Sequence, residues 1–162
     1  MELSTIDILI RLAVAMALGG LVGMERTIAG KTAGMRTYAL VSIGSALFVL
    51  ISQVVMLTLA NPLSLDPLRI ASQIIVGIGF IGAGLVFHND RDMKTSGLTS
   101  AAGLWVSAGI GMAAGFALYD LAVIASILTL VVFTVLWYVE RSFKNVTYGE
   151  KCPEVKTPGK IS

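Results

Sequence analysis

The sequence predicts an all-α, polytopic membrane bundle of five transmembrane helices, on three observations. Of 162 residues, 56% are hydrophobic and only 14% charged, with a mean hydropathy of +0.84, whereas a soluble domain carries about a quarter charged residues. The charges fall between apolar runs long enough to cross a hydrocarbon core of about 30 Å. The chain also holds seventeen glycines, in keeping with the abundance of glycine in membrane helices. The net charge of +2, with no basic patch interleaved with aromatics, gives no argument for nucleic acid. A single cysteine, Cys152, excludes an internal disulfide framework and a thiol-rich metal site. The start, Met1 to Asp7, lacks the basic segment and small-residue cleavage site of a signal peptide.

The first span is the shortest in charge-free length. Leu12 to Met24 gives 13 uncharged residues, against about 20 for a crossing. Counting from Thr5, with Arg11 snorkelling to the interface, supplies the missing length. The alternative is four spans, with this segment not crossing. Arg11, Ala15, Gly19, Val22 and Arg26 share one face, and Gly19-x-x-x-Gly23 is a close-packing motif. A loop with Gly30 and Gly34 follows. Thr37 to Leu65 is uncharged for 29 residues, with Asn61-Pro62 ending the helix. Gln53 lies well inside it.

Arg69 to Phe87 reads as the third and central helix, flanked on both sides. Arg69, Gln73, Gly77, Gly84 and His88 fall on one stripe, with Gly79 and Gly82 opposite. Gly77-x-Gly79-x-x-Gly82 matches a dinucleotide fingerprint letter for letter. It lies inside an uncharged run of 18 residues with no strand before it and no acid about 20 residues on, so the glycines read as helix packing. The polar loop 88–97 follows. Leu98 to Tyr119 is the fourth span and Leu121 to Val139 the fifth, with Asp120 a candidate cap between them. Thr99, Gly103, Ser107, Gly111 and Gly115 recur every four residues, a packing ladder that favours a right-handed crossing. The fifth span, rich in Leu, Val and Ile, ends in the aromatic pair Trp137-Tyr138 and reads as lipid-facing. Residues 1–140 form the membrane domain; 141–162 form a short tail expected to be disordered.

Loops 26–36 and 88–97 and the tail from Glu140 hold ten of the twelve basic residues, leaving Arg11 and Arg69 on the other side. The positive-inside rule then places the N-terminus outside and the C-terminus in the cytoplasm.

Chemistry is sparse. There is one histidine, no nucleophile elbow and no phosphate loop, so an enzyme is not expected and no cofactor is implied. His88 reads as an interfacial hydrogen-bonded residue, with a pH sensor as the alternative. Asp90 and Asp92 could offer oxygens to Mg2+, but acids alternating beside Arg91 and Lys94 read first as a solvated turn. Gln53, Arg69 and Gln73 are costly in lipid and are expected to face the bundle interior. Glu25 is placed to pair with Arg36 or Lys31, stapling the first two helices at the surface, where such a pair contributes about 0–1 kcal/mol.

Several segments in order, Gly20-Leu-Val-Gly-Met-Glu25-Arg26, Ala33-Gly34-Met-Arg36-Thr37, Arg69 to Gly84, and Gly97-Leu-Thr99 through Trp105, resemble the MgtC/SapB family of bacterial inner-membrane proteins. The resemblance covers roughly residues 7–140 and implies a five-helix membrane domain. It also implies adaptation to low magnesium, a link to virulence in pathogens, and regulation of membrane energetics, including proposed inhibition of the F-type ATP synthase. Glu25, Arg26, Arg36, Thr37, Arg69, Gln73, Gly77, Gly79, Gly82, Gly84, Gly97, Thr99 and Trp105 are the motif positions. Ser100 stands where the family often has threonine. Many members carry a soluble C-terminal regulatory domain, and this chain stops about 20 residues after its last helix, so functions seated in that domain are not carried over. The resulting expectation is a non-enzymatic regulator, a homodimer through a glycine face that includes Gly111 and Gly115, acting on a membrane partner. Its rival is a magnesium or other ion pathway lined by Arg69, Gln73 and Gln53.

Overall fold

A computed structural model of the chain describes residues 3–58, 66–87 and 97–139. Five helices follow one another: α1 (Thr5–Ile28), α2 (Met35–Thr58), α3 (Pro67–Phe87), α4 (Leu98–Gly115) and α5 (Tyr119–Val131). With its helical continuation to Val139, α5 joins the other four as long and apolar enough to cross a membrane. α1 runs unbroken for 24 residues, long and apolar enough to be one of the five spans despite Arg11. Ser4 starts it as an N-cap, its hydroxyl accepting from the Ile6 amide at 3.3 Å, with Asp7 in the first turn at the positive end of the helix dipole. Ala15, Gly19, Val22, Gly23 and Arg26 make its buried stripe, as their helical spacing requires.

α2 is the hub. A Cβ on Gly19 would stand 2.5 Å from Ser42 Cβ, and one on Gly23 would stand 2.7 Å from Met35 Cα and Tyr38 Cβ. On the other side, a Cβ on Gly111 of α4 would run into the Ser42 carbonyl, and one on Gly115 would lie 3.0 Å from the Ala46 backbone. Ser42 is therefore where three helices meet. Close backbone approach at small residues is what drives association when lipid is as apolar as the side chains. The ladder Ser107, Gly111, Gly115 is used inside the chain, so it is not available as a dimer face.

The expectation of a central α3 is corrected. α3 packs against α4 and α2 at the edge of the bundle, and only 11% of its spanning window is buried, against 56% for α4. A Cβ on Gly82 would lie 3.5 Å from Ala101 Cβ, whereas one on Gly77, Gly79 or Gly84 would meet nothing within 4 Å among the described residues. Small residues permit close packing, but they do not say whether a neighbour in the same chain takes the place.

Both tight connections end in the same capping pattern. After α1, Gly30 (φ 64°) donates to the Thr27 carbonyl and Lys31 to the Arg26 carbonyl, at 3.1 and 2.9 Å. After α4, Ala117 (φ 60°) donates to the Ala114 carbonyl and Leu118 to the Ala113 carbonyl, at 3.0 and 2.8 Å. These are Schellman motifs, the second with an alanine in the left-handed position that glycine usually fills. α4 thus stops at Gly115, short of the expected Tyr119, and Asp120 lies in the first turn of α5 instead of capping it.

The chain divides into two compact units after Leu130. Within 3–130, Ser126 and Thr129 of α5 are buried and donate to carbonyls of their own helix, at 2.8 and 2.6 Å. From Val131 onward a π-helical turn, Val132–Leu136, leads to Trp137 and Tyr138, whose rings meet edge to face at 5.0 Å. Asn61-Pro62, His88, Asp90, Asp92 and the tail 141–162 lie outside the described residues.

Candidate functional site

Two polar clusters close the bundle at its ends. At the end carrying the α1–α2 loop, the Thr27 hydroxyl donates to the Gly23 carbonyl at 3.1 Å and accepts from the Met35 amide at 2.8 Å, capping α2 from α1. A Cβ on Gly34 would lie 2.5 Å from that hydroxyl, which explains the glycine at this motif position. Arg26 is only 3% exposed and its Nε donates to Glu25 Oε2. Glu25 therefore serves its chain neighbour, not Lys31 or Arg36, which are both exposed. The reason is desolvation: a buried guanidinium needs the carboxylate, while exposed cations are served by water. Below it, the buried Tyr38 hydroxyl donates to the Ser100 carbonyl at 3.2 Å, and the Ser107 hydroxyl donates to the Tyr38 carbonyl at 2.9 Å, joining α2 to α4. The Ser42 hydroxyl is buried with no hydrogen-bond partner among the described residues.

At the opposite end, Arg11 is an internal tie instead of a snorkelling side chain. Its Nη1 donates to Gln53 Oε1 at 2.8 Å and to the Gly115 carbonyl at 3.0 Å. One cation thus links α1, α2 and the last turn of α4, where the helix dipole presents partial negative charge. Gln53 faces this junction, as an interior residue should.

Arg69 and Gln73 do not. Both are exposed on α3 and border a lateral groove between α2 and α3. Its apolar part has a volume of about 510 Å³, lined mostly by aliphatic side chains with Phe48, Gly44 and Gly77. Beside it, with Ile70 and Gln73 lining both, lies a polar part of about 460 Å³ where Asp66, Arg69, Ser72 and Gln73 supply polar atoms. Gln53, held by Arg11, is in neither part, so the structure does not bring Gln53, Arg69 and Gln73 together as one path.

Of the other motif positions, Gly97 (φ 98°) precedes α4 where a Cβ would lie 3.2 Å from the Leu85 carbonyl, so its glycine is set by backbone geometry. Gly103 is buried; Thr99, Thr37 and Trp105 are exposed. Among the described residues no three His, Cys, Asp or Glu side chains converge as a metal site. Sequence reading missed Thr27, Tyr38 and Ser42, which carry no charge and no motif spacing of their own.

The sequence model of the MgtC family matches residues 12–142. "Putative magnesium transporter YhiD" of Escherichia coli K12 is 42% identical over 149 residues, 89% of this chain and 67% of that protein. "Protein MgtC" of Salmonella typhimurium is 43% identical over 122 residues, and that of Brucella abortus 40% over 125 residues. The chain spans about half the length of these two MgtC proteins, 49% of each. No solved structure matches.

Proposed function

The chain belongs to the MgtC family, and from that premise we propose that it is a non-enzymatic regulator in the bacterial inner membrane, linked to magnesium limitation, that binds a partner helix. The observation carrying this reading is the contrast between its glycines. Gly19 and Gly23 of α1 and Gly111 and Gly115 of α4 lie against α2, whereas a Cβ on Gly79 of α3 would meet nothing within 4 Å among the described residues. Around Gly79, the exposed Val76, Phe80 and Ala83 form an outward apolar face, with Phe80 84% exposed. A glycine on such a face lets a second helix approach closely. Arg11, Gln53, Tyr38 and Ser107 at the α1–α2–α4 junctions tie helices to one another, which supports a structural interior over a conducting one.

The test is a photo-crosslinker at Phe80 in native membranes. A membrane protein captured from wild type and lost in Gly79→Leu is the expected result. Capture of lipid alone, unchanged by Gly79→Leu, would overturn the reading. The second reading, an ion pathway, takes support from the polar mouth at Asp66, Arg69 and Gln73 and from the name of the YhiD relative.

A further inference from the structure

We propose that the groove between α2 and α3 is a binding site for one zwitterionic aminophospholipid. Its headgroup would lie at Asp66 and Arg69, with an acyl chain running down past Gly77 to Ile81. The site is separate from the outward face around Gly79 and does not depend on the partner reading.

Shape is the first argument. From Ile70 to Ile81 the groove spans eleven helical steps, about 16 Å at 1.5 Å per residue, roughly one leaflet of a hydrocarbon core about 30 Å thick. An extended acyl chain can lie along a groove of that length, against its mostly aliphatic lining. The room comes from Gly44 and Gly77, one from each wall, at both of which a Cβ would find nothing within 4 Å.

Charge is the second. The apolar part adjoins a polar mouth at one end of the groove, bordered by one carboxylate and one guanidinium, with Gln73 lining both parts. Arg69 offers planar donors to a phosphate, and Asp66 offers acceptors to an ammonium. A headgroup carrying both charges matches this mouth. A purely anionic one would meet the Asp66 carboxylate.

The experiment is native mass spectrometry of the full chain released from vesicles of equal phosphatidylethanolamine and phosphatidylglycerol. Wild type is expected to retain one phosphatidylethanolamine per chain. Gly77→Leu, which fills the groove, should lose bound lipid of both kinds while keeping its melting temperature. If that variant fails to fold, Ile81→Trp closes the groove from its other end. Arg69→Gln should lower occupancy roughly tenfold, the scale of one charge-assisted hydrogen bond, and Asp66→Asn should shift retention toward phosphatidylglycerol. Wild type without bound lipid, equal retention in the groove-filling variants, or a dimer that Gly77→Leu splits would each overturn the proposal, the last by giving the groove to a second copy.

Discussion

Arg11 joins α1 to Gln53 of α2 and to the Gly115 carbonyl of α4 through one nitrogen. Hydrogen bonds from a charged group contribute about 1.5–3 kcal/mol each, and truncating the donor leaves both acceptors unserved. Arg11→Met should therefore lower stability by about 2–4 kcal/mol in mild detergent, read as a drop in melting temperature. The two buried serines of the hub should behave in opposite ways. Ser107→Ala removes the donor to the Tyr38 carbonyl and should cost about 1 kcal/mol. Ser42→Ala removes a hydroxyl with no partner among the described residues and should be neutral or stabilising. Equal losses in both would contradict this assignment. At this scale the sequence was legible where a charge interrupts an apolar run, as at Arg11 and Arg26. It was not legible for Arg11's partners, because snorkelling and capping a distant helix look the same along one chain. Nor did it reveal that burial would draw Glu25 to Arg26.

Among the helices, Gly19, Gly23, Gly111 and Gly115 lie against α2, so the last two pack inside the chain and not at the dimer face their spacing suggested, and the glycines of α3 do not make it a central helix. The difference lies in what surrounds each stripe. α2 offers small or backbone surfaces at Ser42 and Ala46 that α1 and α4 can reach, whereas α3 touches its neighbours along one narrow side. Gly111→Leu should consequently prevent the bundle from forming, since the added side chain would occupy the Ser42 backbone. Gly84→Leu, where a Cβ meets nothing within 4 Å among the described residues, should leave stability within about 0.5 kcal/mol of wild type. Ala117 holds a left-handed conformation at φ 60° in the α4–α5 turn. Ala117→Gly should relieve about 1 kcal/mol of strain and raise the melting temperature.

For the whole molecule, apolar run lengths carried the five-span architecture into view without any structure, because a bilayer admits few alternatives to spanning helices. The distribution of basic residues predicts a cytoplasmic C-terminus, which the native Cys152 can test. A membrane-impermeant thiol reagent should label it in opened vesicles and not in whole cells. Function was less legible, because partner-binding and conduction place the same residue types in the same helices. The structure holds Gln53 on Arg11, outside the α2–α3 groove that Arg69 and Gln73 border. That geometry supports a packed regulator over a carrier. The most direct measurement is magnesium and proton flux in liposomes containing only this protein, with Gln73→Leu beside it. The account predicts flux no greater than in empty liposomes for both proteins. Magnesium flux through wild type that Gln73→Leu abolishes would contradict it.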